Sequence, residues 1–388
     1  QQALLDAFIK LIAGAIDAKS PYTGGHCQRV PELTKMLAQA ACESSDPPFR
    51  EFDLDEKQWE AVDIASWLHD CGKVTTPEYV VDKATKLETI YDRIHEIRTR
   101  FEVLKRDAEI HYRELLAGGG DPQALQAARD QALQQLDDDF AFVAECNQGG
   151  EFMASEKTER LQRIAERTWT RTLDDRLGVS WEELQRKQRT AASPLPVQEQ
   201  LLDNKEEHLI ERSPVDQLSP DNPWGFKMDV PEYKYNRGEL YNLEVSRGTL
   251  TGEERYKIND HIMQTIIMLE KLPYPRHLRD VPMIAGCHHE TMDGTGYPKR
   301  LGREQMPLTA RMMAIADIFE ALTASDRPYK KAKTLSEAVR IMGFMKKDRH
   351  VDPDLFALFL TSGVYREYGR KYLQPEQLDE VDIAEYLD

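Results

Sequence analysis

The sequence predicts an all-α protein: a helical bundle interrupted by a long helical insertion. Three observations carry this. Apolar residues recur at three- and four-residue steps towards both ends of the chain. A run beginning at Leu87 alternates strictly between steps of three and four. No series of alternating apolar and polar residues marks a sheet.

Taken in order, Leu5, Phe8, Ile9, Ile12 and Ile16 open the chain in a helical pattern, and residues 1–45 read as two helices broken at "SPYTGG". A third covers 56–73, with Trp59, Val62, Ile64 and Trp67 available for a core. Leu87, Ile90, Ile94, Ile97, Phe101, Leu104 and Ala108 then form a coiled-coil seam, "GGGDP" (118–122) breaks it, and Leu125, Ala128, Ala132, Leu136, Phe140 and Val143 make a second stripe. A turn between two such stripes predicts an antiparallel helical hairpin, although two ordinary amphipathic helices on a core satisfy the same pattern. From 151 to about 235 the chain is charged and then rich in Pro, Asn and Asp, which predicts loops and short helices. Helical periodicity returns beyond Tyr241. The expected organisation is one domain in two parts, 1–85 and 241–388, separated by a mostly helical insertion over 86–240.

The 388 residues, 40% hydrophobic, suffice for a large folded unit or two. A formal charge of −17 argues against a protein that binds duplex nucleic acid through its phosphate backbone. Any phosphate must therefore be met by a local cluster or a metal. The five cysteines show neither metal-site spacing nor disulfide density, which points to a reducing, cytoplasmic location. The chain starts inside a helical pattern without Met, so we expect a piece of a longer protein that can be membrane-anchored upstream. Its own first apolar run, interrupted by Asp6 and Lys10, is too short to span a bilayer.

Chemistry concentrates in a few places. In "WLHDCGK", His69 and Asp70 are consecutive at a helix end with Gly72 as the expected stop, so a ring nitrogen and a carboxylate oxygen can reach one point. Alone, such a pair is more often surface or hydrogen-bonded core. His26 in "YTGGHCQRV", His261 in "EERYKINDHI", and His288 and His289 in "HHETMDGTGYP" lengthen the set. Asp317 lies among Met313, Ala314, Ile315, Ala316 and Ile318, where a buried carboxylate needs a cation or donors; a hydrogen-bonded structural aspartate meets the same need. Cys27, Cys71 and Cys287 adjoin these positions and read as small apolar packing.

The ordered set "PYTGGHCQRV", "HDCGK", "RGTLTGEERYKINDHI", "HHETMDGTGYP", "IADIFEALTASDRPYKKA" and "RHVDPDLF" resembles the HD-GYP family of metal-dependent phosphodiesterases over residues 1–85 and about 240–365. The resemblance implies an HD-superfamily helical bundle that hydrolyses cyclic di-GMP to pGpG or GMP. It implies two divalent metal ions, iron or manganese foremost, with zinc, nickel and magnesium as alternatives. Carried over by position, His26, His69, Asp70 and Asp317 hold one metal; Asp70, His261, His288 and His289 hold the other, with Asp70 bridging. Tyr22, where three-metal members have an acid, implies two metals rather than three. Lys73, Arg327 and Lys330 resemble residues that grip substrate phosphates; Lys73 also stabilises developing charge or protonates the leaving group. Paired cations activate a water and clamp both oxygens of an in-line displacement. Gly294 and Gly296 allow a tight loop whose lip is Tyr297 and Pro298, with Tyr297 expected against substrate. In the family this loop also contacts diguanylate cyclase (GGDEF) domains. A homodimer through the N-terminal helix or the insertion is the further partner expected. Cyclic GMP-AMP as substrate, a signalling module without catalysis, and another HD-type nucleotide hydrolase are the competing readings. Of two candidates for the histidine after the His-Asp pair, His261 is expected to complete the site and His95 is not. Only His261 follows a glycine and a Thr251–Glu254 capping box.

Overall fold

The computed structural model describes residues 2–19, 25–150, 152–325 and 332–387. The chain is 59% helical, with two small antiparallel two-stranded sheets, so the fold is all-α. It divides into two compact units: residues 1–81, 218–230 and 257–388 form the first, and 82–217 with 231–256 the second.

In the first unit the helices His26–Glu43 and Leu308–Thr323 are the most extensively packed pair. Each supplies an apolar face at helical spacing: Val30, Leu33 and Leu37 from one, Met312, Ile315, Ala316 and Phe319 from the other, all fully buried. The helix Glu56–Leu68 joins this core through Ile64, Ala65 and Leu68, after a capping box in which Asp55 accepts from the Gln58 amide at 2.9 Å. Phe356, Phe359, Tyr365 and Tyr368 from two late helices, Pro353–Thr361 and Val364–Tyr372, complete it.

The second unit contains the helical hairpin Ile94–Ala117 and Pro122–Asn147. Its pairings descend in register, Phe101 on Phe140, Lys105 on Asp137 and Glu109 near Arg129, so the two helices run antiparallel. The first helix begins at Ile94, seven residues later than the apolar stripe. Leu87 is fully buried, but from a turn, and Ile90 is 91% exposed. The region read as loops and short helices also holds strands: Thr168–Arg171 pairs with Val197–Gln200, and Leu209–Glu211 with Tyr233–Asn236. Strands of three or four residues are too short for alternation to reveal.

Among the described residues no helix is long and apolar enough to cross a membrane. Tyr22, Arg327 and Lys330 lie outside the described residues.

Candidate metal centre

Four segments bring the histidines together in the first unit. His26 is the first residue of its helix, and Asp317 lies on the helix packed against it. His69 follows directly on Glu56–Leu68, and Asp70 precedes a 3-10 turn over Cys71–Thr75. His261 lies in Gly252–Glu270, and His288 and His289 follow the short helix Val281–Gly286.

Gly72 does not stop the helix, which ends four residues earlier, and its φ is not left-handed. A Cβ at Gly72 would collide with the backbone carbonyl of His261 and the amide of Thr265. The glycine amide donates to Thr265 Oγ1 at 2.9 Å. This close backbone approach brings Asp70 to His261, with Nε2 of His261 3.2 Å from Asp70 Oδ1.

Donor atoms fall into two groups, His26, His69 and Asp70 in one, His261, His288 and His289 in the other, each within 4.8 Å. Asp70 reaches both: Oδ2 is 3.3 Å from Nε2 of His26 and of His69, while Oδ1 faces His261 and is 4.0 Å from His288. Asp317 Oδ1 stands 3.2 Å from His26 Nε2. Every sequence-derived ligand that the structure describes is therefore in this cluster. His95 is not: it is exposed in the second unit, 2.7 Å from Arg98.

The other ring nitrogen of each buried histidine tests whether a metal fits. Nδ1–H of His69 donates to the Ser66 carbonyl at 2.7 Å, that of His261 to Ile258 at 2.5 Å and that of His288 to Ala285 at 2.7 Å. Nδ1 of His26 bonds the Glu320 carboxylate. A carbonyl can only accept, so in His69, His261 and His288 the proton is on Nδ1 and Nε2 is the atom left for a metal. All four Nε2 atoms are buried without a hydrogen-bond partner. Buried polar atoms are seldom left so, and four converging on two carboxylates fit divalent cations, with Nδ1 fixed by an acceptor as metal-bound histidines usually are.

The electrostatics divide the histidines: burial opposes protonation of His26, but Asp317, Asp70 and Glu320 outweigh it and raise the ring well above its ordinary value, so a cation there has to displace a proton. Burial, then neighbouring His69, pushes His288 down to about 4. Burial and the rings of His288 and His261 hold His289 well below its ordinary value. Both are neutral at pH 7, as ligands must be. Burial opposes ionisation of Asp70, but Lys73 and His69 outweigh it and hold the carboxyl well below the usual range. Lys73 Nζ donates to Asp70 Oδ2 at 2.5 Å. Burial raises the thiols of Cys27, Cys71 and Cys287, the last two to about 11 and about 12, as inert packing groups show.

The loop after His289 folds back on itself. Gly294 has φ +77°, and a Cβ at Gly296 would meet backbone atoms of residues 289–291 at 2.5–2.6 Å. Glu290 accepts from the amides of Lys299 at 2.7 Å and Leu301 at 2.9 Å. Tyr297 consequently stacks on His289, centroids 4.9 Å apart and planes 20° apart.

Sequence reasoning missed two groups. Glu320, one turn beyond Asp317, is 1% exposed and joins His26 to Arg29, whose Nε donates to it at 2.7 Å. Asp352 of "RHVDPDLF", fully buried, accepts from Arg303 at 2.9 and 3.1 Å and from Arg311, and caps Pro353–Thr361. It thereby ties the segment behind the loop to the helix that carries Asp317.

This fold and donor set define a histidine–aspartate domain, and an HD domain model matches residues 196–355. That match to an HD domain, together with relatives named cyclic di-GMP phosphodiesterases, is consistent with the HD-GYP family that the motifs resemble. A cyclic di-GMP phosphodiesterase of Pseudomonas aeruginosa is 48% identical over 79 residues, 20% of this chain and 18% of the relative. A 3'3'-cGAMP-specific phosphodiesterase of Vibrio cholerae is 36% identical over 113 residues, 28% and 23% of the two chains. A cyclic di-GMP phosphodiesterase of Thermotoga maritima is 39% identical over 93 residues, 24% and 25%. The matches thus span between about a fifth and a quarter of these relatives.

Proposed function

We propose that this chain hydrolyses cyclic dinucleotides, cyclic di-GMP foremost, to linear pGpG, GMP or both. The observation that carries the reading is the convergence of four buried, unpartnered Nε2 atoms on Asp70 and Asp317. His26, His69, Asp70 and Asp317 would hold one divalent ion, and Asp70, His261, His288 and His289 a second, with Asp70 shared. The imidazole-rich donor set suits iron or manganese, and also zinc or nickel. Bound there, such ions act as Lewis acids that lower the pKa of water and offset charge at phosphorus.

The chain's own groups do the rest. Lys73, 30% exposed while bonded to Asp70, can meet a phosphate oxygen or give a proton to the leaving alcohol. Tyr297 presents an aromatic wall beside His289 for the substrate. Arg327 and Lys330 are proposed to grip the phosphates. The cysteine thiols beside the ligands are buried and raised, so no phospho-enzyme on cysteine is expected. The names of three Vibrio cholerae relatives favour cyclic GMP-AMP as the second reading.

In this reading 1–85 and 241–388 are catalytic and 86–240 is an insertion, although 218–230 packs with the first unit and 82–85 and 241–256 with the second; the proposed location is cytoplasmic. GGDEF-domain proteins and a second copy are its proposed partners. The exposed Phe8 and Leu11 of the N-terminal helix support the second copy, which the mass in solution decides. The function is tested by incubating metal-loaded protein with a panel of cyclic dinucleotides and separating the products. Asp70→Ala is expected to lose metal and turnover together. A metal-free Asp70→Ala protein that cleaves at the wild-type rate overturns the mechanism.

A further inference from the structure

Residues 218–230 lie in sequence between two strands of the second unit, Leu209–Glu211 and Tyr233–Asn236, yet they belong to the first unit. This segment is organised around Asn222. Its side-chain oxygen accepts from the Phe226 amide at 2.9 Å, and its side-chain nitrogen donates to the Phe226 carbonyl at 3.0 Å. One side chain therefore fixes both backbone groups of Phe226. The Phe226 ring is 4% exposed, and Trp224 stacks on it at 5.7 Å and 13°.

Three contacts join the segment to the residues that follow Tyr297. The Lys227 amide donates to the Pro298 carbonyl at 2.7 Å. Lys299 Nζ stands 6.0 Å from the centre of the Phe226 ring, within cation–π range. The Arg300 guanidinium donates to the Asp229 carboxylate at 2.6 Å. Arg300 has φ 58°, a left-handed conformation that is unfavourable for a residue with a Cβ and persists where surroundings enforce it.

We infer that residues 218–230 are a positioning strap: Phe226, fixed by Asn222, and Asp229 hold Pro298, Lys299 and Arg300 so that Tyr297 stays stacked on His289. The loop needs such an anchor because two of its residues are glycines, whose many accessible conformations favour leaving a single ordered one. Glu290 supplies one set of restraints, through the Lys299 and Leu301 amides. The strap supplies a second set, at Pro298, Lys299 and Arg300. Its effect on catalysis rests on the proposed function; its effect on the loop does not.

Hydrogen exchange followed through 295–301 reads the loop directly, with the helix Glu56–Leu68 as an internal control. In Phe226→Ala and Asn222→Ala, exchange at the Tyr297 and Lys299 amides is expected to rise at least tenfold. The control helix and the metal content stay as in wild type. Phe226→Leu, which refills the apolar site, should restore most of the protection. Lys227→Ala, which removes an exposed side chain and keeps the amide, should change nothing. In hydrolysis assays the two disruptive variants should raise KM by a larger factor than they lower kcat, because Tyr297 faces substrate rather than the ions. Unchanged exchange at Tyr297 and Lys299 in both variants overturns the inference, as does an equal loss of protection in Glu56–Leu68. A wild-type protein that cleaves no cyclic dinucleotide overturns the function and leaves the exchange result to judge the strap.

Discussion

Glu320 is placed to orient a proposed metal ligand, His26, without itself reaching the metal position. Burial alone would raise its carboxyl, yet the His26 and Arg29 bonds hold it below the usual range, so it accepts from His26 as an anion. It thereby orients the His26 ring, with Nδ1 on Glu320 and Nε2 towards Asp70 and Asp317. Glu320→Gln retains an oxygen but loses the charge, and metal affinity is expected to fall about 10- to 100-fold, the usual effect of losing such a partner. Chelator competition measures this, and unchanged affinity would remove Glu320 from the centre. Among the ligands, His261→Ala should lower metal content and activity together, while His95→Ala should leave both near wild type; elemental analysis of the two proteins decides it. That these histidines and acids gather in one place was legible from their ordered resemblance to a known family and from Asp317 standing among apolar helix residues; that they hold metal is the proposal. Glu320 was not legible, since an acid three residues after Asp317 reads as an ordinary solvated helix position. Only its bond to His26, 294 positions away in sequence, distinguishes it.

At the scale of elements, the centre depends on two helical segments touching backbone to backbone at Gly72. Adding one methyl there must push the Cys71–Thr75 turn away from Gly252–Glu270, and with it Asp70 away from His261. Gly72→Ala is expected to cost about 1–3 kcal/mol of stability, as overpacking does. It should also weaken metal binding far more than an alanine at an exposed position of the same turn would. A denaturant titration and a metal titration on the same variant check both, and a fully stable, fully metallated Gly72→Ala protein would contradict the close approach. The sequence marked this glycine but suggested the wrong reason, because a helix stop and a crossing point look alike without the partner. The hairpin was legible in the same partial way. Its glycine turn and most of its two apolar stripes were read correctly, whereas Ala128 and Ala132 are exposed and Leu87 and Ile90 kept the spacing of a helix that had not begun. Leu87 is held instead from a turn, its amide donating to the Asn147 side chain at 2.8 Å, and Ile90 faces solvent. Periodicity records which positions are apolar and not the backbone that carries them.

For the molecule as a whole, the metal-type cluster and the hairpin core belong to different units. The cluster lies in the first, beside a core that includes Leu33, Phe319 and Phe359; the second unit has its own core around Leu87, Phe101, Leu161 and Leu201. A ligand that binds only the native first unit stabilises that unit alone, by about 2.7 kcal/mol at a hundredfold excess over its dissociation constant. For a unit of this size, that corresponds to a rise of about 5–10 °C in its midpoint. Calorimetry of the protein stripped of metal is therefore expected to show two transitions, of which only one moves upward when manganese or iron is restored. In His261→Ala the same transition should respond weakly, and the other should be indifferent in every sample. Without a cation the Nε2 atoms of His69, His261 and His288 are buried with no hydrogen-bond partner, so the first unit has something to gain from metal that the second does not. Two transitions that rise together, or none that moves, would show that the cluster does not couple metal to the stability of the unit around it.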